Sequence, residues 1–217
     1  MIFVEAEKIS SFDAIADKAE YLKDIFGEGY ASSALNKKNP ASRRESVAGL
    51  FLLERMLNKA GICPSDFSFV RDLSGRPSAL KGIFDFNISH SEEYVICALE
   101  VAEGARVGVD IQSPIAVERQ KRLAGRFLSP DEAEYYEKSG ERADIFLSMW
   151  TRKEAYLKYI GSGISVDLRA VSTLGRTDVS FFDYICEGCS ISICCRKDSH
   201  SSPVISSSLL LNSSAVL

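Results

Sequence analysis

The chain has 217 residues, 46% of them hydrophobic and 26% charged, with a formal net charge of −4. That length and composition suffice for one sizeable domain or two packed half-domains. The acidic total argues against a partner held by counterion release, so nucleic acid is set aside. No run approaches the ~18 apolar residues of a membrane span, and Met1-Ile2-Phe3-Val4-Glu5 lacks the basic start and long apolar stretch of an export signal. The chain therefore reads as cytoplasmic, with no membrane partner.

Residues 1–7 are predicted as a short strand. Ser11 is placed to cap a helix running to about residue 26, with Phe12, Ile15, Ala19, Leu22, Ile25 and Phe26 as its apolar face. Residues 27–42, with Gly27, Gly29, Asn39 and Pro40, are predicted as loop. A second helix is expected from about Ala41 to Lys59, where Val47, Leu50, Leu53 and Leu57 recur at near-helical spacing and Gly61 ends the run.

The pattern then turns to strand. Phe67-Ser68-Phe69-Val70 reads as a strand, and Ser74-Gly75-Arg76-Pro77 as a turn. Phe84, Phe86 and Ile88 alternate with Asp85, Asn87 and Ser89, which predicts a strand buried on one face. Tyr94 to Val101 and Arg106 to Ile111 follow as strands across Glu103-Gly104. Beyond them, helices are expected over about 116–124, 130–137 and 142–160, and strands near 164–172, 178–186, 189–196 and 203–211. Helix followed by several strands thus occurs twice. The expected class is α+β: two similar subdomains, each a small antiparallel sheet on a long helix, divided as residues 1–104 and 105–217.

Six cysteines without an export signal are most simply free thiols. Cys186, Cys189, Cys194 and Cys195 cluster, which raises a zinc site. Glu187-Gly188 has the composition of a two-residue hairpin turn, however, and the flanking residues read as strand. The cysteines are therefore expected to pack as small apolar side chains.

Three segments carry chemistry. In Val107-Gly108-Val109-Asp110-Ile111-Gln112, strand alternation sends Val107, Val109 and Ile111 inward and brings Asp110 and Gln112 out on one face. Two oxygen ligands there make a hard-cation site, or else a strand leaving the core into a polar loop. In Trp150 to Lys158, helical spacing stacks Trp150, Glu154 and Lys158 in one row. The row is a surface ion pair, or a partly buried carboxylate and lysine that bind a metal and an anion together. In Phe86-Asn87-Ile88-Ser89-His90-Ser91, His90 ends a strand among serines, as a structural hydrogen-bonder or a cleft residue. Upstream, Arg43 and Arg44 open a helix, where cations oppose the dipole unless an anion joins them.

Taken in order, these segments resemble the 4′-phosphopantetheinyl transferases of the surfactin-synthetase-activating type. Gly108 to Gln112 is similar to that family's Gly-Ile/Val-Asp-Ile-Glu strand, and Trp150 to Lys158 to its Trp/Phe-x-x-Lys-Glu-Ala/Ser-x-x-Lys helix. Phe127 to Glu132 resembles its Phe-x-x-x-x-Glu element, Gly75-Arg76-Pro77 its Gly-Lys/Arg-Pro turn, and Phe86 to Ser91 its Phe-Asn-Ile-Ser-His-Ser strand. The resemblance covers about residues 43 to 168 and implies a pseudo-dimer of two α+β halves. It implies Mg²⁺ held by Asp110 and Glu154, with Gln112 as a possible third ligand, and coenzyme A as co-substrate. Arg44, with Arg43 as its rival, and His90 would contact its phosphates, Ser89 would belong to the same coenzyme-binding set, and Gly75, Arg76 and Pro77 would line its adenine. Glu154 and Lys158 would be catalytic, the first toward the serine of an apo acyl or peptidyl carrier protein, the second toward the departing 3′,5′-ADP. A basic patch near Lys153, Lys158 or Arg122 would meet the carrier, and the enzyme would be a monomer.

Gln112 departs from the pattern, which often has glutamate there; it keeps an oxygen ligand and loses a charge. A coenzyme A or carrier-binding module without catalysis and a metal-dependent nuclease are the competing readings. The first rests on Gln112 and the second is opposed by the net charge.

Overall fold

The computed structural model describes residues 1–162, 166–197 and 202–205. The chain begins with β1 (Ile2–Lys8), a 3-10 helical stretch (Ile9–Tyr21), α1 (Leu22–Phe26), α2 (Glu28–Leu35) and α3 (Pro40–Lys59). There follow β2 (Ser68–Arg71), β3 (Pro77–Leu80), β4 (Phe84–Ser91), β5 (Tyr94–Val101) and β6 (Val107–Gln112). Three helices come next, α4 (Val117–Phe127), α5 (Pro130–Lys138) and α6 (Ala143–Ile160), and then β7 (Val179–Cys186), β8 (Cys189–Arg196) and β9 (Val204–Ile205).

The elements form two stacked sheets between two long helices, with β2 and β3 paired as a separate two-stranded sheet, an α+β arrangement. The first sheet has the order β4-β5-β1-β9, antiparallel except where β9 joins β1 in parallel. The second has the order β6-β8-β7, all antiparallel. Strand alternation decides what each face covers. Phe84, Phe86, Val95, Cys97 and Leu99 pack on Leu50, Leu53 and Leu57 of α3. Ile2, Val4, Ala6, Ile96 and Ala98, on the opposite face, meet Val107, Val109, Ile111, Ile191 and Ile193 of the second sheet. On that sheet's far face Cys194 and Val179 pack with Ala155 of α6.

Local signals explain the helix bounds. Pro40 stands at the start of α3 and the Asn39 side chain accepts from the Ser42 N–H, at 3.1 Å. In α5 the Glu132 carboxylate reaches back to the Ser129 N–H at 3.0 Å. Gly108 is where α6 meets the sheet. A Cβ there would lie 2.0 Å from the Ala155 carbonyl oxygen and 2.6 Å from the Tyr159 nitrogen. Gly108→Ala is accordingly expected to destabilise the fold by at least about 3 kcal/mol through overpacking against backbone. The urea midpoint reads it, and an unchanged midpoint would mean that α6 does not seat on β6 in this way.

Several expectations are corrected. Ser11 caps no helix: its hydroxyl donates to Glu7 Oε1 at 3.3 Å, and residues 9–21 wind as a 3-10 helix before α1 begins at Leu22. Residues 27–42 are not all loop, since α2 buries Tyr30, Ala31, Ala34 and Leu35; Gly27 and Gly29 hid that face in the sequence. A strand, β3, follows the turn at 74–77 and pairs with β2. β4 is buried on both faces, because Asp85, Asn87 and Ser89 lie against β6. The strand expected near 164–172 is absent over residues 166–172; Leu168–Ala170 is a 3-10 turn opened by Asp167, whose carboxylate accepts from the Arg169 N–H. Residues 164–165 of that expectation, and 206–211 of the last one, lie outside the described residues.

The cysteines behave as small apolar groups. Cys186 and Cys189 face each other across the turn Glu187-Gly188, whose φ values of 50° and 79° suit a two-residue hairpin. Both are buried in the inter-sheet core together with Cys195. Burial pushes the Cys186 thiol up to about 11, away from nucleophilic use.

Candidate active site

β6 has β8 on one edge only. Its other edge is met by the polar face of β4, whose period of two matches that of β6. Asp85 Oδ2 accepts from the Val107 N–H at 2.8 Å, Asn87 Oδ1 from the Val109 N–H at 3.0 Å, and Ser91 Oγ from the Ser113 N–H at 2.9 Å. Ser89, between them, instead donates to Asp110 Oδ1 at 2.7 Å. This side-chain ladder seals the seam between the sheets and leaves a cleft beside α6.

The Asp110 side chain faces α6 from β6. Lys158 Nζ donates to Asp110 Oδ1 at 2.6 Å, to Ser89 Oγ at 2.8 Å and to the Val109 carbonyl at 3.1 Å. All three of its protons thus have acceptors. Glu154 lies one turn back along α6 and is half-buried, and its carboxylate has no hydrogen-bond or ion-pair partner among the described residues. Burial raises its pKa; the Asp110 charge adds to this and the Lys158 charge opposes it. A carboxylate held in this way, beside Asp110 and Lys158, can join Asp110 in accepting a cation or can take up a proton.

These residues line one cavity of about 350 Å³, with Ile88, Ser89, His90, Gln112 and Trp150 around it. A second cavity, of about 360 Å³, shares Ile88, Glu154 and Lys158 and extends past Asn87, Leu157 and Leu168 to the turn Ser74-Gly75-Arg76-Pro77. The Trp150 ring stacks on Phe127 at 4.2 Å and 6°, which fixes the start of the Trp150-Glu154-Lys158 row. Gln112 directs its amide nitrogen to the Ser113 carbonyl, at 3.1 Å, and to Ser91 Oγ, at 3.5 Å. His90 Nδ1 is 3.5 Å from Glu45 Oε2. Burial lowers the His90 pKa, with Lys158 and Lys37 adding and Glu45 and Asp110 opposing.

Residues 106–201 match the family described as the 4′-phosphopantetheinyl transferase superfamily. Residues 106–201 carry this superfamily's pattern. It is 32% identical over 134 residues to the transferase HetI of Nostoc sp. strain PCC 7120, an overlap of 58% of this chain and 55% of HetI. It is 36% identical over 177 residues to the transferase ffp of Bacillus subtilis, covering 79% of this chain and 66% of that one. The chain therefore spans between about half and two thirds of the length of these two transferases. A holo-(acyl-carrier-protein) synthase from Bacillus anthracis str. Ames, solved in complex with coenzyme A, overlaps 45% of this chain and 91% of its own, at 20% identity and a TM-score of 0.35. That overlap is too loose to bear on the fold.

The other residues singled out by the transferase resemblance lie outside the lining of that first cavity. Arg43 and Arg44 line a third cavity, of about 420 Å³, with Lys37, Lys38 and an apolar floor that includes Phe12 and Val47. Arg44 there forms a two-pronged ion pair with Asp13, at 2.6 and 2.8 Å. Gly75, with φ of 85°, and Pro77 line the second cavity. Arg76 borders it too, but is only 6% exposed and paired with Asp85. Lys153 corrects the expected surface patch: it is fully buried against Glu132 at 2.5 Å, whereas Arg122 is exposed. Sequence reasoning missed Asp85, Glu45 and Lys37 as neighbours of the site. Asp85 had a signal, the unbroken polar alternation Asp85, Asn87, Ser89, Ser91; the other two are brought in by tertiary packing alone.

Proposed function

We propose that this chain transfers the 4′-phosphopantetheine arm of coenzyme A to a serine hydroxyl of an apo acyl or peptidyl carrier protein. The serine Oγ–phosphorus bond forms as the bond to the bridging pyrophosphate oxygen breaks, and 3′,5′-ADP leaves. The observation that carries this reading is the half-buried Glu154 carboxylate, without a partner among the described residues, beside Asp110 and Lys158 in one cavity.

The donor set fits Mg²⁺. Among the described residues no three His, Cys, Asp or Glu side chains gather as a protein cage. Mg²⁺ suits one or two carboxylates, with water and substrate phosphate as its other ligands. Asp110 and Glu154 would hold it, with the Gln112 amide oxygen as the third candidate. When bound, the ion neutralises charge on the pyrophosphate. The chain's own groups do the rest. Glu154, with its raised pKa, is the candidate acceptor for the serine proton. Lys158 stands to offset charge on the departing phosphate and to return a proton to it. Ser89 and His90 border the same cavity as phosphate contacts, and Gly75 and Pro77 border the neighbouring one, which suits the adenine. In this reading residues 1–104 carry the nucleotide contacts and residues 105–217 the metal and catalytic groups. The enzyme works as a cytoplasmic monomer; no described helix is long and apolar enough to cross a membrane.

Gln112 favours one second reading, a module that binds coenzyme A without turnover. Calorimetry tests both at their common root. Coenzyme A is expected to bind with micromolar affinity (about −8 kcal/mol) in the presence of Mg²⁺ and to be displaced by 3′,5′-ADP. Absence of binding with and without Mg²⁺ would remove both readings.

A further inference from the structure

We propose that Arg76 is a positioning residue of the transfer reaction: with Asp85 it sets where Lys158 and Asp110 stand, and it contacts no phosphate itself. The proposal rests on the transferase reading above and departs from the adenine or phosphate role that the Gly75-Arg76-Pro77 turn would otherwise suggest.

A guanidinium has five N–H donors. In Arg76 all of them are used inside the protein. Nε donates to the Lys158 carbonyl at 2.9 Å. Nη1 donates to Asp85 Oδ1 at 2.9 Å and to the Pro77 carbonyl at 3.2 Å. Nη2 donates to Asp85 Oδ2 at 2.5 Å and to the Val107 carbonyl at 2.8 Å. No donor remains for a phosphate, and at 6% exposure the group has little access to one.

The partners belong to four elements: β3 through Pro77, β4 through Asp85, β6 through Val107 and α6 through Lys158. Asp85 completes the knot by accepting the Val107 N–H. Helix α6 ends here with carbonyls that have no partner within the helix. Arg76 takes that of Lys158, and Arg106 Nε takes that of Tyr159 at 2.5 Å. Cations at this end also suit the helix dipole. Gly161, with φ of 70°, makes room for both. A Cβ there would lie 2.5 Å from Arg106 Nη2 and 3.4 Å from Arg76 Cδ.

The clamp acts on the site through two short paths. The residue whose carbonyl Arg76 holds is Lys158, whose ammonium binds Asp110 and Ser89. The strand whose first residue Arg76 and Asp85 hold is β6, which carries Asp110. A small shift of α6 along β6 would therefore move Lys158 and Glu154 relative to Asp110, and misplacements of about 1 Å cost up to about 100-fold in rate.

The test is steady-state kinetics and coenzyme A calorimetry on Arg76→Lys, Asp85→Asn and the double variant, each checked for folding by circular dichroism. Each single variant is expected to lower kcat about tenfold or more while moving the KM and Kd for coenzyme A less than about threefold. Lysine should not rescue, because a point charge cannot make the forked set of bonds. The double variant should be no worse than the poorer single one. Asp85→Asn, the nearly isosteric change, carries the test if Arg76→Lys fails to fold. Arg76 variants that raise KM with kcat intact, beside a silent Asp85→Asn, would make Arg76 a direct ligand and overturn the proposal. Variants that melt earlier with unchanged kcat and KM would reduce the clamp to framework and overturn it too. A wild-type chain that neither binds coenzyme A nor transfers would remove the transferase reading and the proposal together.

Discussion

Asp110→Ala is expected to lower kcat/KM by at least about 10³-fold, some 4 kcal/mol of transition-state stabilisation, while the protein stays folded. The side chain does two things at once. It is one of the two carboxylates facing the cavity, and its Oδ1 accepts from both Ser89 and Lys158. Alanine removes the charge, the candidate metal ligand and the anchor that aims the lysine. The fold has less at stake, because the Lys158 side chain is 28% exposed and can be solvated when its partner goes. Asp110→Asn keeps the shape and the Ser89 contact but not the charge, and should be nearly as impaired. Intact-mass assay of a carrier reads both variants. Full activity of Asp110→Ala with Mg²⁺ would sink the metal assignment.

Loss of the buried Lys153–Glu132 pair should be the most damaging change to stability. Both side chains are 0% exposed and 2.5 Å apart. Lys153 Nζ also donates to the Phe127 and Leu168 carbonyls, and Glu132 accepts from the Ser129 and Thr173 N–H groups and the Thr173 hydroxyl. The pair ties α4, α5 and α6 to the segment after residue 166. Glu132→Ala leaves a lysine charge in the core and is expected to cost about 3–5 kcal/mol in chemical denaturation. The sign with pH follows from the lysine. Burial already lowers its pKa in the folded protein, and removing Glu132, which raises it, lowers it further. The unfolded chain then binds more protons than the folded one, so stability rises with pH until the ordinary lysine value of 10.5. The deficit of Glu132→Gln should accordingly shrink from pH 7 toward pH 10. A deficit that is flat or grows over that range would mean the lysine is not the group left stranded.

The pair also marks how far the sequence could be read. Phe127 to Glu132 and Trp150 to Lys158 were both recognisable as motifs, and within the second the four-residue row Trp150, Glu154, Lys158 follows from helical geometry alone. That Lys153, inside the same motif, turns the other way and joins Glu132 in the core depends on α5 packing across α6. No local spacing encodes that. Strand alternation likewise gave the face shared by Asp110 and Gln112, because Val107, Val109 and Ile111 had to be buried. It gave the polar face of β4 as well, but not its destination. Asp85, Asn87 and Ser91 read as solvent-facing until β6 arrives to use them as its missing strand neighbour. Arg76 read as a turn residue for the same reason: its five acceptors come from β3, β4, β6 and α6, brought together only in the folded chain. The missed helix α2 has a simpler cause, since two glycines within three residues outweigh a short apolar face in any local reading.

The central claim is that the cleft beside α6 transfers phosphopantetheine to a carrier serine. Its most direct test is to incubate the protein with coenzyme A, Mg²⁺ and a panel of apo acyl and peptidyl carrier proteins, and to weigh each carrier intact, with and without EDTA. The account predicts that at least one carrier gains the mass of a single phosphopantetheine on serine, that EDTA abolishes the gain, and that Asp110→Ala does not produce it. Coenzyme A that binds tightly while every carrier stays at its apo mass would contradict the account.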